Sequence, residues 1–227
     1  MKQKTKTTLS LLIVAIMLTM TFGICEAASK TLKGAQVSPK NHYTYDGKEK
    51  GPNSYKVTIK TKNGSKKDIT KKVKISQKKH TNCGTWYVKV TAKKGKGYKG
   101  HVMCRAFTIF PKKPTIDSIS YNSKNNTTIL KVKMPALKHG YCSYVLYCGK
   151  QKKEPFTGDD MIKIGKTKEQ KWKNGQIVPI KINKKLDSKT YRIAVEVADQ
   201  GYTNIQGSTK ESSLYGSGSV EKTFTVN

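Results

Sequence analysis

The sequence predicts an all-β protein made of two tandem antiparallel β-sandwich domains that follow an N-terminal export signal. Apolar and polar residues alternate with a period of two along several short segments, as at Tyr55, Val57 and Ile59. Turn sequences rich in Gly, Asn and Asp separate these segments, and no stretch after the export signal shows a sustained helical stripe. Short strands at this spacing, with lysines at outward positions, are typical of antiparallel sandwiches.

Residues 1–28 have the three parts of a secretory signal peptide. Lysines at positions 2, 4 and 6 precede an apolar run over residues 9–24, and small residues follow, which predicts cleavage after Ala27 or Ala28. The run is interrupted by polar residues and falls short of the roughly 18 apolar residues of a spanning helix, so no transmembrane span is predicted in the mature chain. Lipoprotein processing at Cys25 is disfavoured because Ile24 stands where a small residue is needed.

The remaining chain has the length of two domains of about 100 residues each. The first is predicted over residues 31–110, with strands at "YKVTI", "KVKIS", "TWYVKVTA" and "RAFTIF". "PKKP", residues 111–114, is predicted to be a short linker. The second domain is predicted over residues 113–227, with strands at 116–121, 128–134, 141–148, 177–182, 191–198 and 220–226 and a long polar insertion over 149–175.

The chain carries 45 lysines and arginines against 14 acidic residues, a formal net charge of +31 that becomes +29 when the signal is removed. Such a protein attracts polyanions, among them wall teichoic acid, nucleic acid, sulfated or sialylated glycans and anionic lipid headgroups. Only Arg105 and Arg192 supply the planar guanidinium group that base recognition relies on, so sequence-specific nucleic-acid binding is disfavoured. The alternative is that a lysine-biased genome has simply filled solvent-facing strand positions with lysine.

Short motifs occur in a fixed order within residues 31–110. They are Tyr45-Asp46-Gly47-Lys48, Gly51-Pro52, Asn82-x-Gly84-Thr85, Tyr98-Lys99-Gly100 and Phe107-x-Ile109. In this order they resemble the YDG or MBG-type repeats, which are Ig-like modules of extracellular proteins in Gram-positive bacteria. The resemblance implies an Ig-like sandwich and carries no catalytic residue across. Asp46-Gly47 is therefore expected to form a turn in which Gly has a positive φ, and Pro52 is expected to begin an edge strand.

A second pattern covers residues 113–227. Leu186 is followed by the turn "DSK" and by Tyr191-x-Ile193-x-Val195-x-Val197, and the chain closes with "YGSGSVEKTFTV". This order resembles the tyrosine-corner passage and the last strand of fibronectin type III domains, in which the Tyr hydroxyl bonds to nearby backbone. The turn lacks the Pro-Gly often seen there. No Arg-Gly-Asp triplet is present, so integrin binding is not implied.

Four cysteines follow the signal: Cys83, Cys104, Cys142 and Cys148. Cys142 and Cys148 lie on one predicted strand, where six residues at ~3.3 Å each separate their Cα atoms by roughly 20 Å, against the ~4.4 to 6.8 Å of a disulfide. A hairpin centred on "KGKG" places Cys104 opposite about Lys89 and leaves Cys83 near the far end. Free thiols are therefore predicted, although four cysteines allow three disulfide pairings.

A histidine precedes a cysteine by three positions at His80, His101 and His139. Imidazole and thiolate are both good zinc ligands. Residues three apart on a strand point to opposite faces, and the third pair lies in the other predicted domain. No metal and no other cofactor is therefore predicted.

Glu154, Asp159 and Asp160 form the densest acidic cluster, in "KKEPFTGDDMIKIG". Paired carboxylates catalyse glycoside hydrolysis when they flank a bond across a cleft. Adjacent residues of one polar loop more often form a turn or pair with lysines, and no Gly-x-Ser-x-Gly or His-Glu-x-x-His motif occurs. The sequence predicts a non-catalytic protein, with a hydrolase built on this loop as the least favoured alternative.

Lysines are most concentrated at the tip of a predicted hairpin, "KKGKGYKGH", residues 93–101, and in "KKVK", residues 71–74. Exposed loop tips often carry binding function. The predicted polyanion-binding residues are Lys71, Lys72, Lys74, Lys93, Lys94, Lys96, Tyr98 and Lys99. In this interpretation charge and ring stacking hold a sugar-phosphate or sulfated chain. In the alternative, Tyr98 packs on its own hairpin and the lysines are only solvated.

Taken together, these features predict a secreted, monomeric, non-catalytic protein that binds anionic cell-envelope polymer or external polyanions. The chain ends directly after the last predicted strand with no sortase-type signal, so non-covalent retention at the cell wall is expected beside release into the medium. The alternative is a structural spacer or adhesin module that docks on other proteins. A continuous lysine-rich face favours polyanion binding, and an even spread of lysine favours the spacer.

Overall fold

The structure is a computed structural model that describes residues 30–76, 79–149, 161–204 and 210–227. This part of the chain is nearly all β-strand, as predicted, with a single 3-10 turn at Thr70–Lys72. The strands of its N-terminal half are β1 Lys30–Thr31, β2 Gln36–Ser38, β3 Asn41–Thr44, β4 Lys56–Lys60, β5 Lys66–Asp68, β6 Val73–Ile75, β7 Gly84–Ala92, β8 Tyr98–Lys99 and β9 His101–Phe110. Those of the C-terminal half are β10 Thr115–Asn122, β11 Thr127–Lys133, β12 Leu137–Cys148, β13 Met161–Lys166, β14 Gln170–Trp172, β15 Ile177–Asn183, β16 Thr190–Thr203, β17 Lys210–Gly216 and β18 Val220–Thr225.

Two predictions concern residues beyond these ranges. The signal peptide, residues 1–28, and the acidic cluster of Glu154, Asp159 and Asp160 both lie outside the described residues. Within the described ranges, no helix combines the length and the apolar character needed to cross a membrane.

The N-terminal half folds as a β-sandwich around its own core. One sheet has the order β2-β4-β5; on the other side, β7 lies between β6 and β9, and β3 runs parallel to β9 at the edge. The alternation in β7 places Trp86, Val88 and Val90 in the core, while Lys89 between them is exposed. The other buried apolar members of this core are Leu32, Ala35, Val37, Tyr55, Val57, Ile69, Val73, Cys104, Ala106, Phe107 and Ile109. Their removal from water is the main term that stabilises such a domain.

The predicted turn at Asp46-Gly47 is confirmed. The Lys48 amide donates a 2.9 Å hydrogen bond to the Asp46 carboxylate, and Gly47 has a φ of +79°. That conformation is open to Gly at low cost because Gly has no Cβ. The prediction that Pro52 begins an edge strand is wrong: Pro52 is buried in the connection, and β4 begins at Lys56.

The C-terminal half is a second sandwich built around a core of its own. One sheet has the order β10-β11-β15. The other places β12 between β13 and β16, with β14 also paired to β12 and with β17 and β18 paired to β16. Its buried core is formed by Leu130, Val132, Met134, Leu137, Cys142, Tyr144, Leu146, Trp172, Ile180, Ile182, Leu186, Tyr191, Ile193, Val195, Val197 and Val226.

The polar insertion predicted over residues 149–175 contains two strands that the sequence pattern did not indicate. β13 pairs with β12 from Ser143 opposite Lys166 to Tyr147 opposite Met161, and β14 pairs with the first part of β12. β13 is an edge strand, and its Ile164 is 59% exposed. Its Ile162 packs against the second core, and backbone pairing to β12 holds the rest of the strand.

The predicted tyrosine corner is confirmed. The Tyr191 hydroxyl donates a 3.1 Å hydrogen bond to the Asp187 carbonyl and accepts one of 2.9 Å from the Asp187 amide. Tyr191 itself is 3% exposed and packs in the core beside Leu186. The hydroxyl thus satisfies two backbone groups at the turn that precedes β16.

β16 extends five residues beyond its predicted end, which alters the relation between the two sandwiches. Its last residues run parallel to the start of β7, with Tyr202 opposite Gly84 and Thr203 opposite Thr85. The Tyr202 amide donates a 3.1 Å hydrogen bond to the Cys83 carbonyl. One sheet therefore runs through both halves of the molecule.

Side chains reinforce this junction. The side-chain carbonyl oxygen of Asn204 accepts a hydrogen bond of 2.6 Å from the Tyr87 backbone amide, and its side-chain NH₂ donates one of 2.8 Å to the Tyr87 carbonyl. The side chain thus pairs with Tyr87 as the backbone of a strand residue would. A 2.7 Å hydrogen bond joins the Tyr215 and Thr85 hydroxyls, and the Tyr215 ring lies 6.0 Å from that of Phe110. These contacts hold β17 and the residue that follows β16 against the first sandwich.

Candidate functional site

The two predicted lysine-rich segments meet in the structure. The 3-10 turn ends at Lys72, and the Lys93 amide donates a 3.0 Å hydrogen bond to the Lys72 carbonyl. The Lys93 ammonium donates a second hydrogen bond of 3.2 Å to the Lys71 carbonyl. Residues about twenty positions apart in the chain therefore form one basic surface.

We name this surface the tip cluster; it consists of Lys71, Lys72, Lys93, Lys94, Lys96 and Lys99. Lys71, Lys94, Lys96 and Lys99 are exposed, and Lys72 and Lys93 are half-buried. Lys30, which the sequence reasoning missed, adjoins the cluster because β1 pairs with β8 and the Lys30 amide donates to the Gly97 carbonyl at 3.1 Å.

Tyr98 belongs to the hairpin rather than to an open binding surface. It is half-buried against the first core, and the Lys72 ammonium lies over its ring at 5.8 Å from the centroid. A cation at this distance is attracted to the face of the ring. The Tyr98 ring therefore lies against Lys72 and the first core, which leaves it less open to stacking than the sequence interpretation requires.

Lys74 lies beside the tip cluster but not in it. It is exposed on β6 opposite Thr91, on the outer face of the sheet. Lys89 and Arg105 are exposed on the same face, from β7 and β9. The alternation of β7, in which Lys89 stands between two core valines, is the sequence signal that could have identified this extension.

Positive charge is concentrated in the first sandwich. Residues 31–110 contain twenty lysines and arginines and three acidic residues, whereas residues 113–227 contain twenty and ten. Two of the three acidic residues are already paired, Asp46 with Lys50 at 2.7 Å and Asp68 with Lys56 at 3.5 Å. The lysines of the tip cluster thus repel one another with little local compensation, and a bound polyanion would relieve that repulsion.

Asp68 is held in place by Thr70 as well as by Lys56. The Thr70 amide and hydroxyl donate hydrogen bonds of 2.8 and 2.7 Å to one carboxylate oxygen. These bonds, with the Lys56 charge as a smaller cause, lower the pKa of Asp68 below its ordinary value. The carboxylate is therefore ionised and fixed at the start of the 3-10 turn.

Comparison with solved structures found β-sandwich proteins of low sequence identity. The chicken interferon gamma receptor alpha chain is 12% identical with a TM-score of 0.37, and the match covers 84% of this chain and 96% of that one. A DUF4785 family protein from Legionella pneumophila is 14% identical with a TM-score of 0.33, over 82% of this chain and 54% of that one. A DUF3823 family protein from Bacteroides ovatus is 13% identical with a TM-score of 0.27, over 83% and 97%.

No protein-family model matches the chain, and no curated protein matches it.

The four cysteines after residue 30 are free in the structure. Cys83, Cys104 and Cys142 are buried, whereas Cys148 is exposed. Cys142 and Cys148 lie on the single strand β12, as predicted. Cys104 lies opposite Val88, one residue from the predicted Lys89, in the register that runs without interruption from Thr91 opposite His101.

Burial makes three of these thiols unreactive. Desolvation raises the pKa of the Cys83 and Cys104 thiols above the ordinary value and raises that of Cys142 to about 12. For Cys83 the nearby Asp199 carboxylate adds to the same effect. Thiolate, the nucleophilic form, is therefore scarce at these positions near neutral pH.

We expect iodoacetamide at pH 8 to label Cys148 in the folded protein and to label Cys83, Cys104 and Cys142 only after denaturation. Mass spectrometry of tryptic peptides measures the labelling at each position. The raised pKa of Cys142 also makes the free energy of unfolding depend on pH. Between about pH 9 and pH 12 the unfolded chain loses a thiol proton that the native Cys142 keeps, so stability falls as pH rises. Rapid labelling of Cys83 in the native protein would contradict this burial.

The three histidine–cysteine pairs do not converge on a metal site. His139 and Cys142 lie on β12, and His101 and Cys104 lie on β9. Among the described residues, no group of three or more His, Cys, Asp or Glu side chains is arranged to hold a metal ion. The structure thus offers the tip cluster as the candidate site.

Proposed function

We propose that this chain is a secreted, non-catalytic binding protein that associates with anionic cell-envelope polymers or other external polyanions through the lysines of its first sandwich. The observation that carries the proposal is the junction of the two lysine-rich segments, where Lys93 is bonded to the carbonyls of both Lys71 and Lys72. This junction turns separate runs of charge into one exposed basic surface. A surface of this kind raises the local concentration of polyanions.

The chemistry of lysine supports a polymer rather than a specific small anion. Lysine carries a compact, strongly hydrated charge on a flexible stem, whereas arginine grips phosphate or carboxylate with two parallel hydrogen bonds. A surface made almost entirely of lysine therefore binds by charge density, with affinity that falls steeply as salt rises. The YDG or MBG-type resemblance and the export signal support the Gram-positive envelope, with wall teichoic acid as the representative ligand.

The test is co-sedimentation of residues 28–227 with purified Gram-positive cell walls over a series of salt concentrations, before and after removal of teichoic acid. We expect binding that is lost on removal of the polymer and that weakens linearly in log K against log salt concentration. Replacing Lys93, Lys94 and Lys96 with Gln should reduce the slope of that line by about three, because each lost contact removes about one released counterion.

The matched control replaces Lys131, Lys181 and Lys184, which are exposed in the second sandwich, with Gln. It changes net charge by the same amount and should leave the slope nearly unchanged. Absence of binding to walls and to soluble polyanions at physiological salt would overturn the proposed function.

A structural spacer is the second candidate, and one observation favours it. The extension of β16 onto β7 joins the two sandwiches through backbone hydrogen bonds, which gives the chain a fixed geometry suited to holding other modules apart. In that case the protein would bind other proteins of the envelope, and the two lysine variants would behave alike.

A further inference from the structure

Two adjoining grooves extend from the tip cluster across the first sandwich. The first has a volume of about 560 Å³ and lies between β4 and the 3-10 turn. Buried Tyr55 and Ile69 line it together with Lys56, Lys71 and Lys72. Because Lys71 and Lys72 belong to both features, the groove opens directly onto the tip cluster.

The second groove, of about 530 Å³, lies over the outer face of the sheet β2-β4-β5. Gln36 pairs with Thr58, and Ser38 with Lys56, so the polar side chains of neighbouring strands form rows on this face. Lys40 and Lys66, both exposed, also line the groove. Lys56 and Asp68 line both grooves, so the two grooves form one continuous track that leads away from the tip cluster.

Hydrogen bonds hold the walls of the track in place. The Val57 amide donates a 2.8 Å hydrogen bond to the Thr70 hydroxyl, and the Ile69 amide donates one of 2.8 Å to the Val57 carbonyl. The one carboxylate in the track, Asp68, is occupied by Thr70 and Lys56. Among the described residues, four lysines that line the track form no ion pair, and they set a positive field along its length: Lys40, Lys66, Lys71 and Lys72.

The lining also discriminates among polyanions. Of the residues that the structure describes, Tyr55 is the one aromatic residue that lines either groove, and it is 7% exposed. Proteins that bind single-stranded nucleic acid stack bases on exposed aromatic rings, and this track offers none. Hydroxyl and amide groups at Ser38, Thr58 and Gln36 instead suit the hydroxyls of a sugar or polyol chain.

We infer that the track binds a polymer lengthwise, one that carries phosphate or sulfate groups at intervals along a flexible backbone without bases. The inference rests on the proposed function and adds where the polymer lies and what chemistry it has. β4 alone runs ~13 Å from Lys56 to Lys60 at ~3.3 Å per residue, so an anion of two or three phosphates fills only one part of the track. Affinity should therefore grow with chain length until the ligand spans both grooves.

The test measures binding of the purified protein to long-chain polyphosphate, tripolyphosphate, dextran sulfate and oligothymidylate across a salt series. The variant replaces Lys40 and Lys66 with Gln; the control replaces Lys131 and Lys181 with Gln. For long polyphosphate and dextran sulfate we expect the variant to weaken affinity at least about tenfold and to lower the salt slope by about two, while the control changes neither. Tripolyphosphate should bind the variant and the parent protein equally.

Comparable responses of polyphosphate and dextran sulfate would show that charge along a chain is what the track recognises, and loss of one response alone identifies the anionic group. Two results would overturn the inference while leaving the proposed function standing: equal effects of the Lys40/Lys66 variant and the control, or tighter binding of oligothymidylate than of either other polymer. If no polymer binds at physiological salt, the proposed function itself fails.

Discussion

Replacing Gly84 with alanine is expected to open the sheet where the two sandwiches join and to lower the free energy of unfolding by roughly 2 to 5 kcal/mol. A Cβ at this position would lie 2.2 Å from the Tyr202 carbonyl oxygen and 2.8 Å from its nitrogen. These are backbone atoms of the neighbouring strand, so no side-chain rotation relieves the overlap. The φ of +147° adds strain for any residue with a side chain.

Urea denaturation measures the change in free energy, and small-angle scattering measures whether the two sandwiches separate. The control replaces Gly95, which has a φ of +70° at the hairpin tip and no atom within 4 Å of the added Cβ. It introduces an unfavourable φ without the overlap. If both variants lose the same stability and keep the same scattering profile, the close approach of Gly84 to Tyr202 does not hold the junction together.

Replacing Asp199 with asparagine should cost roughly 2 to 4 kcal/mol of stability although the side chain keeps its shape. Asp199 is 1% exposed and accepts hydrogen bonds from the backbone amides of Lys138 at 3.2 Å and His139 at 2.8 Å, one to each carboxylate oxygen. Asparagine has a single acceptor oxygen, so one of these amides would face an amino group instead. A buried donor would then lack a partner.

The loss should be seen as a lower denaturation midpoint with an unchanged dependence on denaturant, which reports stability rather than compactness. The matched control replaces Asp117, which is exposed on β10, with asparagine and should be neutral within about 0.5 kcal/mol. An Asp199 variant as stable as this control would mean that water satisfies the two amides.

These variants also separate the two candidate functions. The tip cluster and the grooves lie on the first sandwich, away from the contact between β16 and β7. A protein that works by polyanion binding should keep most of its affinity in the Gly84 variant, provided the first sandwich stays folded. A spacer that depends on a fixed angle between its two halves should lose its function in the same variant.

The sequence was informative where a strand has one buried face. The alternation of Trp86, Val88 and Val90 predicted β7, because apolar burial with a period of two is a local property. The alternation of Ile193, Val195 and Val197 also predicted β16, although the structure buries Arg192 and Ala194 on the opposite face as well. The tyrosine corner was predictable for the same reason, since Tyr191 bonds to backbone only four residues away. The fold class and these elements follow from short-range patterns.

The sequence was uninformative where pairing with a distant strand, rather than a buried face, holds a segment. β1, β2, β3, β5 and β8 are short and mostly exposed, and β13 is an edge strand with an exposed Ile164. Backbone hydrogen bonds stabilise such segments with little regard to side chain, so composition does not reveal them.

Composition and residue alternation were sufficient to predict the all-β character, the basic charge and most core strands. The contact of Lys71 and Lys72 with Lys93, the two grooves that continue from them and the pairing of β16 with β7 became visible only in the folded chain. Side-chain alternation is set by neighbours two residues away, so it can be recognised within one segment. The site and the junction depend instead on which strands and turns the two cores bring together, and the sequence of each segment alone does not contain that information.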